Sequence, residues 1–387
     1  MKRILYTAAA IALCGLVSCG NDEVVMLLGT YTEGGTSKGA YSYVFNQRNG
    51  KSREISSVEI PDPSFIVPGT DGTHAYSVKQ SSGGRHGATS YVMDKDRRLS
   101  LLNTKPGIPG PGANVEVCGY DLESAPEAGR PDDKAGTSPC NILVDKGHII
   151  TANYSGGDIA VYPIKEDGSI GDICQFVRIN HTPHIHCAIF SPDSSYVFFT
   201  DLGNDMVFRF TVDRSSDSNY LKDCTVAYSG EKGWGPRHII FNKAGDKAYL
   251  IDELGDMLVV LKYNQDKTFT PIQSILAYDG EGHGGADIHL SPDEKFLYTS
   301  HRLKEDGVAI FRVKEDGTVE KAGYQPTGIH PRNFNISPDG KWVLVACRDS
   351  DVIQVFRRDS ATGLLKSWKN GQRDISLSKP VCVTWVR

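Results

Sequence analysis

The chain has 387 residues, of which 39% are hydrophobic and 23% are charged, with 40 glycines and 19 prolines. This composition suits one large or two ordinary soluble domains that are rich in turns. The formal net charge of -5 disfavours a nucleic-acid partner, because proteins bind phosphate backbones through an excess of lysine and arginine.

The N-terminus has the pattern of an export signal. A basic start precedes an apolar stretch that ends in Leu-Val-Ser-Cys before a polar segment. This ending resembles the lipobox of bacterial lipoproteins, in which the cysteine is lipidated; an ordinary secretory signal with a chance cysteine is the alternative. We therefore predict a lipoprotein signal peptide at 1–18, the lipidated Cys19 with a short linker at 19–23, and a folded domain at 24–387.

The predicted lipid would tether the domain to a membrane through Cys19. No other stretch reaches the roughly 18 uninterrupted apolar residues that a membrane helix needs. We expect an exported lipoprotein that is periplasmic or associated with an outer membrane, and a cytoplasmic protein only if the signal is not processed.

Seven cysteines remain once the signal and the lipidated residue are set aside: Cys118, Cys140, Cys174, Cys187, Cys224, Cys347 and Cys382. Their odd number and the lack of Cys-x-x-Cys spacing argue against a structural zinc site and against a full disulfide framework. We expect most of them to be small buried hydrophobic side chains.

One hairpin pattern recurs seven times along the chain. Each copy is an apolar or alternating segment that leads into a charged or glycine-containing turn, as in GAYSYVFNQRNGK, GDIAVYPIKEDGS and DGVAIFRVKEDGT. The copies start roughly 45–50 residues apart, a period typical of repeat architectures. A wider gap separates the second copy from the third, and its Pro- and Gly-rich segment at 105–136 indicates a loop insertion.

A second pair of strands lies between successive hairpins, joined by turns such as SPDSS, SPDEK and SPDGK. Each period therefore carries about four short strands and almost no helical periodicity, which is typical of a β-propeller blade. We predict an all-β fold, a seven-bladed β-propeller with four antiparallel strands per blade. The ring would close by pairing Val24–Thr32 with 380–387. A pair of β-sandwiches or a β-helix is the competing architecture, and neither explains this period.

Polar residues recur where the first strand of each pair begins and the second ends, which is one face of the ring. Near the starts stand His184, His186, Arg237, His238 and Arg332. At the ends stand Asn153, Asp201, Glu253, Arg302 and Arg348. We expect these side chains to converge at one mouth of the central channel. Several arginines suit an anionic ligand and repel a cation, so we expect no metal. The chain has no glycine-rich phosphate loop or nucleotide motif, and we expect no cofactor.

The same residues lie in motifs that resemble the propeller-type lactonase family. This family includes the seven-bladed bacterial 6-phosphogluconolactonases and is related to the propeller muconate-lactonizing enzymes. The motifs cover essentially the whole mature chain and include TANYSGGDIAVYPI, HIHCAIFSPD, GWGPRHIIFN, IDELGD and HPRNFNISPDGKW. The chain departs from the usual family pattern at Gln80, His301 and Arg348, which bears on the substrate more than on the fold.

Resemblance to the muconate-lactonizing relatives implies catalytic roles for His186, Arg237, Glu253 and Arg302. We predict 6-phosphogluconolactonase-like hydrolysis of a small anionic sugar lactone by a monomer, with His186 or Glu253 as general base. Arg237 and Arg302 would stabilise the oxyanion. The substrate would be bound by His184, His238, Arg332, Asn153, Asp201 and Arg348.

Two other functions stay open at this point. One is a non-catalytic binding propeller for a glycan or protein partner. The other is cycloisomerisation of a muconate-like diacid, in which arginines would hold two carboxylates. The chain has no Gly-x-Ser-x-Gly nucleophile elbow, so a covalent acyl-enzyme is not indicated. The export signal conflicts with phosphogluconolactone as substrate, because that metabolite is cytoplasmic, and it favours another lactone or an aldonic or uronic derivative.

Overall fold

The computed structural model describes residues 22–81, 86–118, 134–278, 284–368 and 371–386. The predicted signal peptide and Cys19 lie outside these residues. Within the described ranges, no helix has the length and hydrophobicity to cross a membrane.

Strands dominate these ranges and form seven sheets. The chain begins with β1 (Glu23–Thr30), β2 (Gly39–Asn46) and β3 (Ser52–Glu59), which belong to the last blade, blade 7. Blade 1 follows, with β4 (Ile66–Pro68), β5 (His74–Lys79), β6 (Gly87–Met93) and β7 (Leu99–Pro106). Blade 2 comprises β8 (Asn114–Cys118), β9 (Pro139–Val144), β10 (His148–Asn153), β11 (Asp158–Pro163) and β12 (Gln175–Ile179).

The next three blades have four strands each. Blade 3 contains β13 (Ile185–Phe190), β14 (Tyr196–Asp201), β15 (Met206–Val212) and β16 (Leu221–Ser229). Blade 4 contains β17 (Pro236–Phe241), β18 (Lys247–Asp252), β19 (Met257–Tyr263) and β20 (Phe269–Leu276). Blade 5 contains β21 (Gly285–Leu290), β22 (Phe296–His301), β23 (Gly307–Val313) and β24 (Val319–Pro326).

Blade 6 contains β25 (Pro331–Ile336), β26 (Trp342–Cys347), β27 (Val352–Arg358), β28 (Leu365–Ser367) and β29 (Ile375–Ser376). A 3₁₀ turn at Arg348–Ser350 joins β26 to β27, and β30 (Pro380–Trp385) completes blade 7. The innermost strands β4, β9, β13, β17, β21, β25 and β30 each contact the next in this order, and β30 contacts β4. The predicted seven-bladed propeller is therefore confirmed.

Blade 7 closes the ring as predicted. The early strand β1 lies between β2 and the last strand β30, with Leu27 opposite Thr384. Trp342 of blade 6 adds a side-chain contact across the neighbouring junction, because its Nε1 donates to the backbone oxygen of Gln47 at 2.6 Å. Main-chain pairing between the first and last strands thus holds the two ends of the ring together.

The predicted loop insertion is wrong for one part of 105–136. Residues Asn114–Cys118 form β8, which pairs in parallel with β12 and adds a fifth strand to blade 2. At the end of β8, Cys118 forms a disulfide with Cys224 in β16 of blade 3. The alternation Val-Glu-Val within this short segment is compatible with a strand, although its surroundings are rich in Pro and Gly. Cys140, Cys187, Cys347 and Cys382 are buried and free, as expected for most of the cysteines.

The hydrophobic core is divided among the junctions between blades. Seven clusters of buried apolar side chains occur in the described ranges, one at each junction of adjacent blades. Strand β26 (WVLVAC) is buried along its whole length, whereas the outermost strand β20 exposes much of its surface. A strand covered on both faces is uniformly apolar, which explains the apolar runs in the sequence repeats.

Candidate active site

β-Bulges at the starts of the innermost strands place the predicted site residues. The pairing of the first two strands of a blade skips one residue in blades 2, 3, 4 and 6. The skipped residues are Cys140, His186, Arg237 and Arg332. A bulge bends its strand and changes the direction of a side chain. The bulges thus explain why four of the seven blades turn these side chains toward one mouth of the channel.

A polar cavity of about 280 Å³ lies at this mouth. It is lined by Tyr31, Gln80, Ser138, Cys140, Tyr154, Ser155, His186, Glu253 and Arg332. Ligand sites in proteins usually occupy about 300–1,000 Å³, so this cavity suits a small molecule rather than a polymer. Among the predicted site residues, it brings together His186, Glu253 and Arg332.

Arg237 and Arg302 contact Glu253 instead of lining the cavity. Arg237 Nε donates to Glu253 Oε2 at 2.7 Å, and Arg302 Nη2 lies 3.1 Å from the same oxygen. The two arginines are only 1% and 4% exposed. Burial alone would raise the pKa of Glu253, but the charges of Arg237, Arg302 and Arg332 outweigh it and hold this pKa below its usual value. Glu253 is therefore a fixed, ionised carboxylate at the cavity wall.

His186 presents a neutral imidazole to the same cavity. Burial, reinforced by the charge of Arg237, lowers its pKa well below the usual value. Its ring packs edge-on against Tyr154 and against His238, with centroid distances of 5.7 and 5.1 Å. Within the described ranges its buried Nδ1 has no hydrogen-bond partner. A neutral imidazole in a cavity can accept a proton from water or a hydroxyl group.

Arg332 is the cation that lines the cavity. Its guanidinium lies 5.7 Å from the centre of the Tyr31 ring, an arrangement that stabilises a cation over an aromatic face. Because it borders the cavity directly, Arg332 is placed to contact an anionic or carbonyl oxygen of a ligand.

His184 and His238 stand beside the cavity rather than in its wall. His184 stacks on Tyr154 at a centroid distance of 4.3 Å, and its Nδ1 donates to the backbone oxygen of Tyr154 at 3.0 Å. His238 Nδ1 donates to Asp287 Oδ1 at 2.7 Å. His184 thus contacts the lining residue Tyr154, and the ring of His238 contacts the lining residue His186.

The structure keeps Asn153, Asp201 and Arg348 out of the cavity lining. Asn153 Nδ2 donates to Asp158 at 2.6 Å, and both oxygens of Asp201 accept hydrogen bonds from its own blade. Arg348 forms a two-pronged contact with its neighbour Asp349 at 2.7 and 2.8 Å.

A one-residue difference in register explains Asn153 and Asp201. They pair with the first residues of β9 and β13, as Asp252 pairs with the first residue of β17. Glu253 comes one position later, and the matching residue in blade 2 is Tyr154. A shift of one residue turns a strand side chain to the opposite face, so the strand ends predicted from the repeats include residues from both faces.

Four lining residues were not predicted from the sequence: Tyr31, Ser138, Tyr154 and Ser155. Correct strand register would have identified Tyr154. Tyr31 follows β1 in blade 7, where the chain order of the repeat is broken by ring closure. Among the described residues, no group of three or more His, Cys, Asp or Glu side chains is arranged to hold a metal ion.

Comparisons with known proteins agree with this architecture. The profile of the family described as "Lactonase, 7-bladed beta-propeller" matches residues 25–385. A 6-phosphogluconolactonase of Formosa agariphila is 31% identical over 359 residues, which are 88% of this chain and 94% of that protein.

Two solved structures are similar over nearly their whole length. A Bacteroides fragilis protein provisionally assigned as a 6-phosphogluconolactonase is 38% identical, with a TM-score of 0.84 over 96% of this chain and 99% of that one. A periplasmic gluconolactonase of Pseudomonas aeruginosa is 25% identical, with a TM-score of 0.79 over 94% of this chain and 99% of that one. The match over residues 25–385 shows that this chain belongs to the lactonase family of seven-bladed β-propellers.

Proposed function

We propose that this protein hydrolyses the ring ester of a small sugar lactone to the hydroxy acid. The observation that carries the proposal is the cavity of about 280 Å³ in which His186, Glu253 and Arg332 meet. It offers a proton acceptor, a fixed carboxylate and a cation within one small polar space. The 6-phosphogluconolactonase and gluconolactonase relatives support the same reaction class.

The reaction we propose begins with attack of water on the lactone carbonyl carbon. His186 accepts a proton from the attacking water, and Arg332 stabilises the negative charge that develops on the carbonyl oxygen. The ring carbon–oxygen bond then breaks, and the leaving alkoxide takes the proton back from His186. The products are a free hydroxyl group and a carboxylic acid, which releases its proton to solvent and becomes a carboxylate.

Glu253 supports this chemistry as an acceptor. Arg237 Nε and Arg302 Nη2 already contact its Oε2, and the charges of these arginines keep the pKa of Glu253 below its usual value. Because both arginines already contact this oxygen, Glu253 is the weaker candidate for the base, and we assign to it the orientation of the attacking water. Arg237 and Arg302 hold Glu253 in place, rather than stabilising the oxyanion as predicted from the sequence.

The compartment bears on the choice of lactone. A signal ending in Leu-Val-Ser-Cys19 and the disulfide Cys118–Cys224 both support export, since disulfides persist in oxidising compartments. Arg332 is the single Lys or Arg among the described residues that line the cavity. We therefore propose an unphosphorylated sugar lactone outside the cytoplasm, in line with the activity for which the periplasmic relative is named.

Hydrolysis can be measured with the purified mature domain in a pH-stat at pH 6.5, on gluconolactone, galactonolactone and 6-phosphogluconolactone. We expect turnover above the spontaneous rate, with gluconolactone preferred to its phosphorylated form. His186→Ala and Glu253→Gln should abolish it. His74→Ala is the matched control, because His74 pairs with Asp71 on the opposite face of the ring.

Each alternative outcome has a distinct meaning. No acceleration on any lactone would contradict the hydrolase and favour a binding propeller. Turnover that survives both substitutions in folded protein would contradict the assigned site. Conversion of a muconate-like diacid, shown by product analysis, would favour the cycloisomerase.

We further propose that Cys19 carries a lipid anchor. The supporting observation is the Leu-Val-Ser-Cys19 sequence after an apolar stretch. Radiolabelled palmitate should enter the wild type, and Cys19→Ala should remove the label and release the protein from the membrane fraction. An unchanged membrane fraction for Cys19→Ala would contradict the anchor.

A further inference from the structure

Asp287 does not line the cavity, yet it joins three blades beside it. The residue is 3% exposed. Its Oδ1 accepts from His238 Nδ1 at 2.7 Å, and its Oδ2 accepts from Asn333 Nδ2 at 2.6 Å and His289 Nε2 at 3.1 Å. Burial alone would raise the pKa of this carboxyl, but His289 and these hydrogen bonds outweigh burial and lower it. Asp287 is therefore an ionised carboxylate and acts only as an acceptor.

This carboxylate determines which nitrogen of His238 carries the proton. Since Asp287 cannot donate, the short contact requires a proton on Nδ1 of His238. Burial and the charge of Arg237 lower the pKa of His238 to about 4, so the ring is neutral at neutral pH. Its Nε2 is then an acceptor, and it lies 3.4 Å from Nη1 of Arg237.

We propose that Asp287 is a positioning residue for the lactone site and acts through His238. It fixes the tautomer in which His238 accepts from Arg237, and Arg237 in turn donates to Glu253 at 2.7 Å. In the opposite tautomer, an N–H group of His238 would face an N–H group of Arg237, and the repulsion would move Arg237 away from Glu253. The inference rests on the proposed lactonase function.

The substitution Asp287→Asn tests the inference. An amide at this position can donate to Nδ1 of His238 and so favours the opposite tautomer. We expect kcat to fall by about 10–100-fold, the range found when a partner that orients a metal-binding histidine is removed. KM should stay nearly unchanged, because Asp287 does not border the cavity.

His238→Asn is the second variant. It tests the same contact from the other side, in case Asp287→Asn fails to fold. The Asn amide can still donate to Asp287, but it offers no Nε2 acceptor to Arg237. It should lower kcat like Asp287→Asn while keeping a hydrogen bond to Asp287. If the two residues act as a unit, the double variant loses no more kcat than either single variant. Additive losses would indicate two separate structural effects and overturn the inference.

Asn333→Ala is the matched control for structure. It removes a different donor to Asp287 and leaves the contact to His238 intact. We expect reduced thermal stability with unchanged kcat. A loss of kcat as large as that of Asp287→Asn would show that any disturbance of this cluster suffices, and would overturn the inference.

The tautomer can be read without substrate from the ¹⁵N chemical shifts of His238. We expect protonation on Nδ1 in the wild type and on Nε2 in Asp287→Asn. Protonation of the wild type on Nε2, or full kcat in folded Asp287→Asn, overturns this inference alone. Absence of wild-type turnover overturns the proposed function and this inference with it.

Discussion

Asp252 ends β18 with a buried carboxyl group. The residue is 1% exposed, and within the described ranges neither oxygen has a hydrogen-bond partner. Burial, with a smaller contribution from the charge of Asp205, raises the pKa of Asp252 to about 8. The equivalent position of blade 2 is occupied by Asn153, an amide of the same size.

The raised pKa converts into a dependence of stability on pH. One pKa unit corresponds to about 1.36 kcal/mol, and an unfolded Asp titrates near pH 3.9. Because the folded pKa is the higher one, the folded state binds the proton more tightly. The stability contributed by the protonated group is complete below about pH 4 and is lost as the pH rises towards 8. At pH 7 this loss amounts to about 4 kcal/mol.

Asp252→Asn should remove this loss. Urea unfolding at several values between pH 4 and pH 8 would give the difference in unfolding free energy between variant and wild type, in which the other titrating groups cancel. We expect a difference near zero at pH 4 that grows to about 4 kcal/mol in favour of the variant at pH 7. Glu231→Gln, which changes an exposed carboxylate nearby, should stay within about 0.5 kcal/mol throughout. A difference that does not change with pH, or a variant less stable than wild type at pH 7, would refute the reasoning.

Three further predictions concern the base, the disulfide and the turns. If His186 is the base, its lowered pKa places the acid limb of a kcat/KM profile below pH 6.5, and an inflection at or above 6.5 would contradict this assignment. Reduction of Cys118–Cys224 should lower the unfolding free energy by about 2–4 kcal/mol in urea titrations, with no effect of reductant on a variant that lacks both cysteines. Gly340 and Ser194 occupy matching left-handed turn positions at φ of 71° and 56°. Gly340→Ala should lower the unfolding free energy by about 1 kcal/mol and Ser194→Gly should raise it by as much; effects of the same sign in the two variants would be inconsistent with a backbone origin.

The blade architecture could be predicted from the sequence because its signals are local. Turns of the Ser-Pro-Asp type form within five or six residues: Ser191 Oγ donates to Asp193 and accepts from the backbone of Tyr196. Uniformly apolar segments such as that of β26 follow from burial between two blades. Repetition of these signals determined the fold class, the number of blades and the strand pair that closes the ring.

The composition of the site could be predicted only in part. His186, Glu253 and Arg332 line one cavity, but the bulges decide which residues point there, and the repeats do not reveal a one-residue shift. The same shift separates the unpredicted Tyr154 from Asn153.

Contacts between distant segments were decided by the tertiary structure alone. Residues 106 apart in the chain form the disulfide Cys118–Cys224, because β8 extends blade 2 at its junction with blade 3. The placement of Arg237 and Arg302 behind Glu253 likewise depends on how blades 4 and 5 meet. Local sequence patterns encode strands and turns, whereas such pairings depend on the packing of blades that are far apart in the chain.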